Sequence, residues 1–350
     1  MNEIAPMELS AGKLWSLRRL SDRKGFFKMN AVDQRSAVEM LVASKKADGV
    51  ATYTDIGLLK QALIQELSPR CTAIQVDPNY AYPYAYQSLD PGKGLIVAAE
   101  KGSSEEDAGG RRNFLLDDWS VAKIKRLGAD AVKITLWYRP DASAETLRHQ
   151  QAFVEAVGTE CRRHDIAFLI CPVRYAFPGE AEPQNWELSK HIDISKDTIR
   201  ELSKERYGLD LFQLENPLTD SALVELDPST PESRAVQNTY DEIGSLLNHP
   251  WVMMSAGSGQ EAYRRTLTYA FRAGASGYLA GRVVWGSAAS KFPDIGAIRG
   301  EIRQSGIPFI KEMQDLLEAT GCPWPSKFDP EGILHMRGQG PDFISAYPTS

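Results

Sequence analysis

The chain has 350 residues, 40 Lys and Arg against 46 Asp and Glu for a net charge of −6, and a hydrophobic share of 43%. That length admits two ordinary domains or one large barrel, and the acidic balance without any Lys/Arg block excludes the concentrated positive patch that a nucleic-acid surface needs. No apolar run approaches the roughly 18 residues of a membrane span, and the opening MNEIAPMELSAGK lacks the charged-then-apolar order of a signal peptide. A cytoplasmic protein is expected, with small-molecule partners and neither nucleic acid nor membrane among them. Cys71, Cys161, Cys171 and Cys322 are scattered, so they read as reduced thiols rather than a disulfide framework or a zinc knuckle. His149, His164, His191, His249 and His335 show no HxxxH or HxH spacing, and no histidine-bound metal is expected.

Along the chain, short β-rich runs alternate with longer helical patterns, the grammar of βα units around a parallel sheet. The predicted strands are Phe27–Asp33, Thr72–Asp77, Leu95–Ala99, Ala131–Trp137, Ala167–Cys171, Leu211–Glu215, Trp251–Ser255 and Gly277–Ala280. Before the fourth of these, Asp117 or Asp118 is placed to cap a helix with Trp119, Ile124 and Leu127 on its apolar side, and Gly128 to stop it. Gly208 and Gly274 repeat that stop before the sixth and eighth strands. Eight such strands predict an α/β fold, a (β/α)₈ TIM barrel whose active site lies at the carboxyl ends of the strands. The barrel is assigned to residues 1–322 as a single domain, followed by an irregular C-terminal tail over 323–350 that is placed to wrap a neighbour. The segment NYAYPYAYQSLDPGKG after the second strand, rich in Tyr, Pro and Gly, reads as a loop over the mouth.

The polar residues at the predicted carboxyl ends form a chemical inventory: Asp33, Gln34 and Arg35, then Asp77, Glu100, Lys133 with Arg139, Cys171 with Arg174, Gln213 with Glu215, Ser255, and Arg282. SAGSG at 255–259 and AGR at 280–282 end consecutive strands and together suit a phosphate, held by backbone N–H groups, the Ser255 hydroxyl and the Arg282 guanidinium, with Gly257 and Gly281 turning the chain. Turning alone would explain Gly257 and Gly259 but not an arginine in register after Gly281. On the other side, Gln34 and Arg35 are candidates for a second anion, or Arg35 simply caps the barrel through Asp33. Lys133 lies mid-strand between Val132 and Ile134, so it faces the barrel interior. There it is expected to pair with Asp33 or Glu215, or to serve as an electrostatic stabiliser, as a general acid or base, or as an amine nucleophile with a pKa lowered by burial and a nearby cation such as Arg282.

The segments LSAGKLWSLRRLSD, AVDQR, VDPNY, LDDWSVAKIKRLGADAVK, ELSKERYGLDLFQLENPL, SAG and AGASGYLAGRVVW resemble, in order, the tagatose 1,6-bisphosphate aldolases and their relatives that cleave sulfofructose phosphate. The resemblance covers about residues 8 to 320. It implies a class I aldolase that needs neither metal nor other cofactor, a sugar-phosphate substrate and a homo-oligomer. It further implies that Asp33 and Lys133 belong to the catalytic constellation, that Gln34 and Arg35 hold one anionic end, and that Ser255, Gly281 and Arg282 hold a phosphate. Two positions depart from the family pattern. The Schiff-base lysine of a K-[VL]-E run is replaced in Gln213-Leu214-Glu215, and the acid/base glutamate of an E-P pair is replaced in Cys171-Pro172. A carboxamide cannot form an iminium with a ketone, and a buried thiol is an inert filler more readily than a proton shuttle. Three readings follow: a lyase using another amine, Lys133; an epimerase or isomerase of a ketose phosphate, with Lys133, Asp33 and Glu215 moving protons and a divalent cation on Asp33, Asp77 or Glu100; and a sugar-phosphate binder without turnover.

Overall fold

The computed structural model describes residues 8–329 and 331–347; the first seven residues and the last three of the expected tail fall outside that range. Eight parallel strands close into a barrel in the order β1-β10-β9-β8-β7-β6-β3-β2. They are β1 (Phe27–Ala31), β2 (Ala73–Val76), β3 (Gly94–Ala98), β6 (Ala131–Trp137), β7 (Ala167–Val173), β8 (Leu211–Leu214), β9 (Trp251–Met254) and β10 (Gly277–Ala280); β4 (Glu105–Asp107) and β5 (Gly110–Arg112) pair as a separate antiparallel hairpin. All eight predicted barrel strands are present, with β6 and β10 at the predicted bounds. The helices are α1 (Ala11–Leu20), α2 (Ser36–Ser44), α3 (Tyr53–Leu67), α4 (Ala81–Ala85), α5 (Val121–Arg126), α6 (Ala144–Arg163), α7 (Leu188–Leu202), α8 (Pro231–Ser245), α9 (Gln260–Arg272), α10 (Arg282–Ala289), α11 (Ile295–Glu301), α12 (Ile307–Thr320) and α13 (Phe343–Ala346). No helix among the described residues is long and apolar enough to cross a membrane.

Alternation along the strands divides the core into two layers. Phe27, Met29, Ala73, Ile96, Ala131, Leu169, Leu211, Val252 and Leu279 fill the barrel interior, while Val76, Val97, Val132, Phe168, Phe212 and Trp251 pack outward against the helices. The amino-terminal face is closed by α1, which lay outside the predicted elements. Its Leu17 and Leu20 join the interior cluster, and Lys13 is bolted to Asp210, just before β8, at 2.8 Å. Trp324 stacks on Phe27 from the same side and Phe328 meets Trp324 edge-on. Trp324, Phe328 and Arg337 thus lie along this chain's own barrel base, where Arg337 N–H donates to the Leu9 carbonyl at 2.8 Å.

Two local expectations are corrected. The helix before β6 starts at Val121 and is capped by Ser120, whose hydroxyl accepts from the Lys123 N–H, rather than by Asp117 or Asp118. Asp118 instead adopts a positive φ of 55° in the preceding turn, and Trp119 donates its indole N–H to the Ala98 carbonyl. The Tyr-rich segment after β2 is also not a loop over the mouth. It forms α4 and a 3₁₀ turn packed on α3, where Gly57 leaves room for the Tyr84 ring; a Cβ there would sit 2.3 Å from it.

Candidate active site

The carboxyl ends of the strands surround a cavity of about 550 Å³. The turn after β1 contributes Asp33, Gln34 and Arg35; β2 contributes Gln75; Glu100 follows β3; β6 gives Lys133, Thr135 and Trp137; and β7 gives Cys171 and Val173. Glu215 follows β8, Met254 ends β9 ahead of Ser255 and Gly257, and Leu279 on β10 precedes Gly281 and Arg282. Ten of the eleven site residues expected from sequence, together with Glu100, therefore share one wall or another of this space. Gln213 does not reach it: fully buried beneath the cavity, it donates from Nε2 to Gln75 Oε1 across the barrel at 2.9 Å, and its own Oε1 has no partner.

Lys133 is the centre of the charge arrangement. Its Nζ donates to Asp33 Oδ2 at 2.7 Å, Glu100 Oε1 at 3.1 Å and Thr135 Oγ1 at 2.5 Å. Burial by itself would lower the lysine pKa, but the two carboxylates outweigh it and hold the amine above the ordinary lysine value. Asp33 mirrors this. Burial would raise its carboxyl, yet the Lys133 charge and hydrogen bond, helped by Gln75 and Arg35, keep it below the usual range. The expectation of a lysine with a depressed pKa is corrected: Lys133 is an ammonium with all three protons engaged, and a protonated amine is no nucleophile.

The anticipated contact between Lys133 and Glu215 is absent. β7 lies between their strands, and Glu215 turns to the Arg174 main-chain N–H at 3.0 Å and its guanidinium at 3.4 Å. Arg35 donates to the Glu100 carbonyl at 2.6 Å and to its carboxylate at 3.0 Å, so the anion nearest to it belongs to the protein. Asp77, Arg139 and Arg174 fall outside the cavity. Asp77 is paired with Lys60, and Arg139 lies between the Phe177 and Trp186 rings while holding Asp141 and Glu180. Cys171 Sγ sits 3.1 Å from Met254 Sδ, and burial pushes its thiol up to about 12.

On the opposite wall, Ser255 Oγ faces the Gly281 N–H at 3.5 Å, and α10 starts at Arg282 with no side-chain cap on its first amides. Gly257 adopts φ 94°, a conformation that favours glycine, and brings the turn beneath the Arg282 guanidinium. Arg282 is exposed and, among the described residues, has neither an ion pair nor a hydrogen bond from its side chain. Free amides at a helix start beside an unengaged guanidinium and a hydroxyl suit a phosphate. Among the described residues no group of three or more His, Cys, Asp or Glu is arranged to hold a metal ion; Asp33 and Glu100 each accept from a cation of the protein, and Asp77 belongs to a separate pair.

Gln75, Thr135, Asn113 and Trp137 line the site and were absent from the inventory. Period-two alternation would have found three of them: Gln75 is two residues before Asp77, Thr135 is two after Lys133, and Trp137 is two after Thr135. Asn113 enters from the hairpin side, for which the sequence carries no periodic signal.

A family model described as DeoC/LacD family aldolase matches residues 27–287. The chain is similar to the tagatose 1,6-diphosphate aldolase of Listeria monocytogenes serotype 4b, 31% identical over 338 residues that cover 94% of this chain and 98% of that protein. It is equally similar to tagatose 1,6-diphosphate aldolase 2 of Streptococcus mutans, 31% identical over 330 residues, 92% of this chain and 99% of that one. A solved fructose-bisphosphate aldolase from Plasmodium falciparum shares the fold, with TM-score 0.64, 11% identity, and coverage of 91% of this chain and 98% of that one. With the matches spanning the barrel and every strand that carries the cavity, this chain belongs to the DeoC/LacD family of aldolases.

Proposed function

We propose that this chain is an aldol-type lyase acting on a phosphorylated ketose, and that it works without an iminium. The observation that carries this reading is the Lys133 ammonium, fixed at 2.7 Å from an ionised Asp33 on the cavity wall facing the Ser255–Arg282 cradle. The phosphate binds the cradle through Ser255, the Gly257 turn, Gly281 and Arg282, with Gln34 and Arg35 toward the other end of the sugar. Asp33 accepts the proton of the hydroxyl next to the scissile bond. That carbon becomes a carbonyl, the electrons of the broken C–C bond pass to the ketone as an enolate, and the Lys133 ammonium, exchanging its contact with the neutral Thr135 hydroxyl for the enolate oxygen, stabilises the developing charge. Gln213 cannot supply the amine that would form a Schiff base, and the Cys171 thiol at about 12 cannot exchange a proton near neutrality. A homo-oligomer in the cytoplasm is part of the same proposal, in keeping with four cysteines that are all free thiols.

Dihydroxyacetone phosphate incubated with the protein in deuterium oxide tests it. Enolate formation exchanges a proton on the carbon beside the ketone, visible by NMR. Since removing one preorganised oxyanion donor costs about 10²–10³ in rate, Lys133→Met should reduce the exchange by on the order of 100-fold or more. A second reading, a ketose-phosphate binder without turnover, is favoured by Gln213 being locked on Gln75 below the cavity. Tight binding with no exchange would establish that reading instead.

A further inference from the structure

Behind the mouth and outside its cavity lies a further buried lysine–carboxylate pair, apart from those of Lys133 and Lys13. Lys60 on α3 and Asp77 after β2 are fully buried and hydrogen-bonded to each other. Lys60 Nζ also donates to the carbonyl of Val32 at 3.0 Å, the residue immediately before Asp33. Asp77 Oδ1 accepts the Tyr80 N–H at 2.7 Å, and the Tyr80 hydroxyl donates to Glu39 Oε1 on α2 at 2.8 Å. Val32 and Glu39 bracket the segment that carries Asp33, Gln34 and Arg35. A buried ion pair is a weak stabiliser, because the desolvation of both charges offsets their attraction, and apolar residues of similar volume fill such space equally well. An apolar pair, however, cannot grip a main-chain carbonyl or tether a tyrosine.

We propose that Lys60 is a positioning residue: through the Val32 carbonyl, and with Asp77 and Tyr80 holding α2, it fixes the turn that sets Asp33 against Lys133. The role rests on the reading of the mouth as the reacting site. A carboxylate that must meet both a substrate hydroxyl and Lys133 depends on its backbone being held, since misplacement by about 1 Å can cost on the order of 100-fold in rate.

The double variant Lys60→Met/Asp77→Asn removes both charges and retains a side-chain oxygen for the Tyr80 N–H. It should unfold cooperatively like the parent and bind dihydroxyacetone phosphate as the parent does, because the cradle lies on β9 and β10. Amide hydrogen exchange followed by mass spectrometry should show protection lost over 27–40 and retained over 251–262, a local opening rather than a global one. The deuterium exchange of dihydroxyacetone phosphate should slow by on the order of 100-fold, with its acid limb moved to higher pH as Asp33 loses its fixed place beside Lys133. Unchanged protection over 27–40, or a rate equal to the parent's in the folded variant, would overturn the role. If the parent itself exchanges nothing, the proposed function fails, and the protection pattern alone decides whether Lys60 holds the turn. Should the double variant not fold, Tyr80→Phe breaks one tether; it should loosen 27–40 to a smaller degree, and no loosening would overturn the role as well.

Discussion

At the base of the barrel, Lys13 donates to both carboxylate oxygens of Asp210 and to the Gly208 carbonyl; at the mouth, Lys133 donates to Asp33, Glu100 and Thr135. Both lysines are buried and both spend three donors. The base pair lies under α1, and Asp210 turns its remaining capacity on the Phe168 N–H. The mouth set borders a cavity of about 550 Å³, holds two carboxylates around one ammonium, and leaves Glu100 Oε2 without a partner. The same pairing therefore serves two ends: where the surroundings satisfy every atom and exclude ligand it joins elements, and where they leave open space it remains available for chemistry.

Breaking the two sets should separate stability from function. Lys13→Met strands a buried Asp210 carboxylate, so it should destabilise the fold by about 3–5 kcal/mol in denaturant unfolding while leaving the affinity of the surviving folded protein for dihydroxyacetone phosphate unchanged. Lys133→Met should cost less stability, because Asp33 borders the cavity and can be hydrated there. Equal losses at the two ends would erase the distinction.

On the mouth side alone, Arg282→Ala removes the exposed guanidinium of the cradle. Charge-assisted contacts to an anion are worth about 1.5–3 kcal/mol, and sugar-phosphate binding by calorimetric titration should weaken by that amount with the unfolding midpoint unmoved. Undiminished affinity would place the phosphate elsewhere.

The titration of the mouth sharpens the comparison at smaller amplitude. Asp33 is held below its unfolded value, near 3.9, so its stabilisation is fully present above that value and is lost as pH falls through the lower, folded one. Lys133 is held above its unfolded value, near 10.4, so its share is present below that value and is lost as pH rises through the folded one. Together they stabilise across the neutral range, and Asp33→Asn should flatten the acid limb of the stability curve below about pH 4. An acid limb unchanged by Asp33→Asn would show that this carboxylate is not held by Lys133. Cys171→Ala should have the smallest effect, leaving deuterium exchange of dihydroxyacetone phosphate as it is in the parent, since a thiol at about 12 carries no proton traffic near neutrality.

Much of this was legible before the fold. Period-two alternation placed Lys133 inside the barrel and aligned Asp33, Glu100 and Arg282 at one end, because a parallel barrel must bring the carboxyl ends of its strands together. What alternation could not supply was partner choice. On paper Lys133 faces Asp33 or Glu215, with Glu100 not singled out; the closure order puts β7 between Lys133 and Glu215, and β3, which leads to Glu100, next to β6. Asp77 carried the same inward parity as Gln75, but its strand ends at Val76 and the backbone turns it back to Lys60. A lysine buried on an outer helix leaves no mark in a hydrophobic pattern, so Lys60 became visible only in three dimensions.

The central claim is that this mouth carries no reactive amine. Parent and Gln213→Lys/Cys171→Glu double variant, each treated with dihydroxyacetone phosphate and sodium borohydride, answer it by intact mass and peptide mapping, since reduction fixes any Schiff base to the residue that formed it. The parent should remain unmodified, and the double variant should carry an adduct at position 213 together with measurable cleavage of a ketose bisphosphate. An adduct on Lys133 in the parent, lost in Lys133→Met, would contradict the claim and establish an iminium on β6.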